Sequence, residues 1–138
     1  MRSHHTKNKG DLGLLKAQCD LAEKGYMILI PLTEHSAFDL VGYKDEKFTR
    51  FQVKYRSVNE NGVLAISMKS YWADKHGTHA AHVDKSRIDV YCVYCPDTDT
   101  CYYFDPKVIG NSINLRVDKP KNHQQKRVHF ADDFREVP

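Results

Sequence analysis

The chain lacks any apolar run near the roughly eighteen residues that a membrane-spanning helix needs, which excludes a helical span. It also lacks a secretory leader pattern. Met1-Arg2-Ser3-His4-His5-Thr6-Lys7-Asn8-Lys9 is basic, but the apolar residues after it fall at helical spacing rather than in a continuous core. A soluble, cytoplasmic protein is expected. Cysteine is sparse: Cys19 stands alone in a helix-like segment, and Cys92, Cys95 and Cys101 crowd together. Without a leader, a disulfide framework is not expected. A strong excess of one charge is missing too. The net charge of +3 and pI of about 8.6 permit a nucleic-acid partner without demanding one. There is no internal repeat and no long linker.

What is present suits one domain with a real core: 138 residues, 41% apolar and 28% charged. Residues 10–24 place Leu14, Leu15, Gln18, Leu21 and Ala22 at helical spacing, with Gly25 as C-cap. Short strands are expected over Tyr26–Pro31, Ala37–Tyr43, Phe48–Tyr55, Val63–Met68, Ile88–Cys95, Cys101–Phe104 and Ile113–Val117. Lys44–Lys47, Asn59–Gly62 and Pro96–Thr100 read as turns. Tyr71–Arg87 has no clean period and is expected as a long loop or short helix. Phe130–Phe134 is expected as a helical turn. A helix followed by mostly antiparallel strands predicts an α/β or α+β fold with a central mixed sheet.

Polar residues inside two of these apolar runs carry the chemistry. Asp39 lies in Phe38-Asp39-Leu40-Val41. Twelve residues separate it from Gln52-Val53-Lys54, within Phe51–Tyr55. Alternation puts Gln52 and Lys54 on one face of a strand and Val53 on the other. Pairing across the Lys44–Lys47 turn would bring Asp39 beside them. An amide, a carboxylate and an ammonium in such places are costly unless they serve one another or a metal. Asp39 and the Gln52 oxygen suit a hard divalent cation such as Mg²⁺, and Lys54 suits an attacking water or a scissile phosphate. The plainer alternative is an edge-strand ion pair, Asp39 with Lys54.

Lys9-Gly10-Asp11-Leu12-Gly13, then Gly25-Tyr26, Pro31, Phe38-Asp39-Leu40-Val41 and Gln52-Val53-Lys54 resemble the PD-(D/E)XK nuclease superfamily, in particular its group I intron-associated homing-endonuclease branch. The similarity extends to Tyr71-Trp72-Ala73-Asp74-Lys75-His76-Gly77, Val83-Asp84-Lys85-Ser86 and Tyr94-Cys95-Pro96-Asp97-Thr98, nearly the whole chain. It implies a restriction-endonuclease-like core, a central mixed sheet flanked by helices, in a single domain over 1–138. It implies Mg²⁺-dependent, site-specific hydrolysis of double-stranded DNA by a homodimer or homotetramer, in a bacterial, nucleoid-associated setting. A junction resolvase or restriction-type nuclease is the near alternative, and a non-catalytic DNA-binding domain on the same fold the distant one. Gln52 stands where the superfamily has its second acid, a substitution typical of this branch. Related sequences carry a Glu on the first helix where this chain has Leu14. Asp11, one turn earlier, either replaces it as a catalytic and metal-binding acid or only favours the helix N-terminus.

Three further groups were weighed. Cys92-x2-Cys95-x5-Cys101 has half the spacing of a zinc knuckle, but alternation sends Cys92 and Cys95 to opposite faces, so buried thiols are expected. His76, His79 and His82 recur every third residue. Gly77 argues against a helix that would align them, and a loop meeting DNA phosphates or a partner is expected, with Lys75 and His76 as contacts. Seven Lys and Arg fall from Lys107 onward. In Lys119–Arg127, the residues Lys119, Lys121 and Lys126 suit phosphates, while Asn122, Gln124, Gln125 and Arg127 suit base edges. Lys7 and Lys9 near the N-terminus suit phosphates as well.

Overall fold

The computed structural model describes residues 5–117 and 129–138, with backbone alone at 5–7 and 70–72. Helix α1 runs His5–Glu23, beginning earlier than its apolar pattern because Thr6–Lys9 extend it as polar, breaker-free turns. Its buried stripe is Gly13, Ala17 and Leu21, four residues apart, so one side of the helix meets the sheet. Gly13 passes close to Tyr55, and an added Cβ would sit 3.5 Å from that of Tyr55. The helix ends where Gly25 adopts φ +92°. The Tyr26 amide then bonds to the Leu21 carbonyl and the Gly25 amide to that of Ala22, a Schellman cap.

The central sheet has five strands in the order β1 (Met27–Leu29), β2 (Leu40–Lys44), β3 (Lys47–Tyr55), β7 (Val90–Cys95) and β8 (Thr100–Phe104). Neighbours are antiparallel except β3 and β7, so the sheet is mixed as expected. The β2–β3 turn is Asp45-Glu46, both at positive φ, the hairpin geometry that matches strand twist. Strand β7 is buried at every position, because the sheet is covered on both faces. On one face Leu40, Phe51, Cys92, Tyr94, Cys101 and Tyr103 pack with Ala17 and Leu21 of α1. Full burial of a side chain such as Leu21 or Phe51 contributes about 2 kcal/mol.

The opposite face departs from the expectation of flanking helices. Tyr91, Val93, Cys95, Tyr102 and Phe104 pack there against Leu64, Ile66, Leu115 and Ala131. Leu64 and Ile66 belong to β4 (Val63–Ser67) and Leu115 to β9 (Ser112–Arg116). With β10 (His129–Phe130) they form a three-stranded sheet in the order β10-β9-β4. A second small sheet thus does the covering that a helix was expected to do, and α1 is the sole α-helix among the described residues. The expected helical turn near the end is a 3-10 turn, Ala131–Phe134, whose Phe134 ring stacks on Phe104 at 5.0 Å.

Tyr71–Arg87 is also corrected. It is neither long loop nor helix. Strands β5 (Lys69–Asp74) and β6 (Gly77–His82) form a two-stranded ribbon, followed by a 3-10 turn, Lys85–Arg87, capped by the Asp84 carboxylate. The period is missing because the described side chains of the ribbon lie on no core. With one exception, the residues from Ala73 to His82 are exposed, and His79 is half-buried.

Candidate active site

Asp39 lies one residue before β2 rather than inside it. Its amide still donates to the Phe51 carbonyl at 2.8 Å, which extends the β2–β3 ladder. Leu40 opposes Phe51, so the next step back sets Asp39 opposite Gln52. Its carboxylate turns onto β3, where Oδ2 accepts from the Val53 amide at 2.7 Å. The alternation of β3 sends Phe51, Val53 and Tyr55 toward α1. Gln52 and Lys54 therefore face the other way, on the side that Asp39 shares. The three polar residues are brought together as expected.

The electrostatics fit a site rather than an ion pair. Lys54 and Asp39 form no salt bridge among the described residues. Asp39 is open to solvent along one side, yet its carboxyl is hemmed in enough to be raised above the ordinary carboxylate value. Burial is the main cause, partly offset by the Val53 amide and the Lys54 charge. Lys54 is half-buried and is lowered from the ordinary lysine value by burial and by Arg56, against the pull of Asp39. Each charge is thus pushed toward neutrality. Gln52 Oε1 is buried and has no hydrogen-bond partner among the described residues. An orphaned acceptor costs about 1–3 kcal/mol, so its presence beside a desolvated carboxylate asks for a donor or a cation. A hard divalent ion takes such oxygens, an amide oxygen and a carboxylate together, and the residues fit one.

Two neighbours were not singled out from sequence. Tyr91 on β7 stands beside Gln52 in the parallel register, and burial lifts its phenol to about 12, so it stays a neutral hydroxyl. Nothing in its wholly apolar run marked it. Arg56 follows Gln52 and Lys54 at spacing two, a signal the sequence did carry. Its charge acts on both Lys54 and Tyr91.

The other expected residues lie elsewhere. Leu14 packs into the core between α1 and the sheet. Asp11 is exposed on α1, against the opposite face of the sheet from Gln52 and Lys54, and neither hydrogen-bonds nor ion-pairs with Asp39 or Lys54. Lys9 is exposed, with its ammonium 6.0 Å from the centre of the Tyr55 ring. Lys7 lies within α1, and its side chain is outside what is described. Lys75 and His76 form the exposed tip of the β5–β6 ribbon. Lys119, Lys121, Asn122, Gln124, Gln125, Lys126 and Arg127 lie outside the described residues.

The cysteine and histidine groups do not converge. Cys92 and Cys101 are buried on the α1 face and Cys95 on the other, as alternation predicts. Burial drives the Cys92 thiol well up. His79 and His82 sit on one strand an odd number of residues apart, hence on opposite faces of the ribbon. Among the described residues no group of three or more His, Cys, Asp and Glu side chains could hold a metal, which leaves the carboxylate–amide pair of Asp39 and Gln52.

Comparison with known proteins agrees with this arrangement. No curated protein matches the chain. The solved structure of a bacterial homing endonuclease, I-Ssp6803I, shares the fold with a TM-score of 0.78 and 22% identity, over 94% of this chain and 88% of that one. The model of the PD-(D/E)XK endonuclease family matches residues 4–137, spanning both sheets and the whole Asp39–Gln52–Lys54 centre. The chain belongs to the PD-(D/E)XK endonuclease family.

Proposed function

We propose that the protein is a divalent-metal-dependent, site-specific DNA endonuclease of the intron-homing type, with Asp39, Gln52 and Lys54 as its centre. The observation that carries this reading is the pairing, on one sheet face, of a desolvated Asp39 carboxylate with a buried Gln52 oxygen that has no partner among the described residues. The family match and the fold shared with a homing endonuclease support it.

Asp39 and Gln52 would hold the ion, Mg²⁺ in the simplest case. When bound, it supplies Lewis-acid polarisation of the scissile phosphate. The chain supplies the rest. The Val53 amide fixes the Asp39 carboxylate, so the oxygen that faces the site is set before substrate arrives. Lys54 Nζ, with its proton loosened by burial, is suited to position water and exchange a proton with it. The exposed Arg56 guanidinium offers donors to phosphate oxygens. Two strands cut by one centre per chain require at least two copies, and a long target favours four.

The test is incubation with Mg²⁺ and duplex DNA carrying intron-insertion sites. Double-strand cuts at one sequence are expected, and binding without cutting would overturn the reading. That second outcome is a specific alternative, a non-catalytic DNA-binding domain. It is favoured by the apolar, core-packed Leu14 and by an Asp11 that neither hydrogen-bonds nor ion-pairs with Asp39 or Lys54.

A further inference from the structure

The β5–β6 ribbon stands apart from both sheets, hydrogen-bonded as a sheet of its own. A lone two-stranded ribbon is marginal in water, so one held outside the core gains from a partner. Its base is nevertheless firmly fixed. The Val83 amide donates to the Met68 carbonyl at 2.8 Å, and Met68 is buried in the core. The Arg50 guanidinium then clamps the return of the chain. It donates to both Asp89 carboxylate oxygens at 3.0 Å and to the Ser86 carbonyl at 3.3 Å. Arg50 is two residues before Gln52 on the same face of β3. The ribbon is therefore anchored at a set place relative to the nuclease centre, and its six-residue strands reach about 20 Å from that anchor.

Its described side chains are mostly small, with two lysines among them. Asp74 is used within the tip, accepting from the His76 amide at 2.7 Å and meeting the His79 ring at 3.0 Å. Lys69 and Lys75 are exposed. On one face the register sets Lys69 opposite His82, Ala73 opposite Thr78 and, between them, Tyr71 opposite Ala80; five of these side chains are described. All five are exposed. The exposed Lys69 and Lys75 suit a phosphate-bearing partner. The major groove of B-DNA admits a two-stranded ribbon, and small side chains let the backbone come close to the base edges.

We propose that the β5–β6 ribbon is the DNA-reading arm of this nuclease. It enters the major groove beside the cut site, with Thr78 and Ala80 on base edges and Lys69 and Lys75 on phosphates. This rests on the endonuclease reading above. The Arg50–Asp89 clamp makes the offset between the sequence read and the bond cut a fixed length.

Fluorescence anisotropy with a labelled mixed-sequence duplex, without divalent metal and over a salt series, tests the arm separately from cleavage. Lys75→Ala is expected to weaken binding about three- to tenfold and to flatten the salt slope by about one. Ala80→Glu, on an exposed position, is expected to weaken it by more than about tenfold. Lys16→Ala, on the α1 side and paired with Asp99, serves as the control and leaves binding unchanged. Thermal melting confirms that each variant folds. Native affinity in both ribbon variants would overturn the arm and leave the endonuclease reading standing. Absence of binding by the native protein would overturn both. Lost binding accompanied by a lower oligomeric mass in light scattering would also overturn the arm, since the ribbon would then join copies of the chain.

Discussion

Gln52, Asp39 and Lys54 each carry a cost that folding alone does not repay. A carboxylate whose pKa is raised by burial binds its proton more tightly folded than unfolded. Between the two values stability falls as pH rises, and above both the full penalty is present. At neutral pH Asp39 therefore destabilises the metal-free protein. Asp39→Asn keeps an oxygen for the Val53 amide and removes the charge. Its melting midpoint in chelator should rise, by about 1–3 °C only, since the carboxylate is open to solvent along one side. A fall of several degrees would show that the charge is net stabilising and that the site is not strained. Such residues were legible in the sequence because each interrupts an apolar run. Tyr91 was not, because a tyrosine in an apolar strand looks like core, and only the register places it beside Gln52.

At the scale of elements, the sequence showed those that bury one face with a regular period. Helix α1, the β2–β3 hairpin and the β7–β8 hairpin were placed to within a few residues. The ribbon gave no period because its described side chains, from Ala73 to His82, lie almost all in water. The clamp from Arg50 to Asp89 joins residues 39 apart, and no local pattern announces such a pair. The covering sheet was missed as a layer although two of its strands were expected, since strand patterns do not say which sheet a strand joins. One strand detail is testable. Gly42 of β2 lies under two aromatic rings, where an added Cβ would come within 2.8 Å of Tyr26 and 2.9 Å of Phe51. Those rings pack edge to face with centres 5.9 Å apart and cannot both yield. Gly42→Ala should cost about 1–3 kcal/mol in urea unfolding, with an unchanged slope. A neutral result would mean that the Tyr26 ring moves freely and does not pin β1 to the core.

For the whole molecule, the geometry gives one candidate centre per chain, while a double-strand break needs two. Light scattering at micromolar concentration with DNA present should therefore give, once the mass of the duplex is subtracted, about two or four times the 16.0 kDa of one chain. A monomer throughout would restrict the protein to nicking. The missing acid at Leu14 bears on rate rather than architecture, because Leu14 serves the core that seats α1 on the sheet. The measurement that tests the central claim most directly compares cleavage of the same duplex in Mg²⁺ by the native protein and by Lys54→Ala, with DNA affinity measured alongside. Native cutting, with cleavage in Lys54→Ala reduced by at least about a hundredfold at unchanged affinity, is the predicted result. Undiminished cutting by Lys54→Ala would contradict the assignment of Asp39, Gln52 and Lys54 as the nuclease centre.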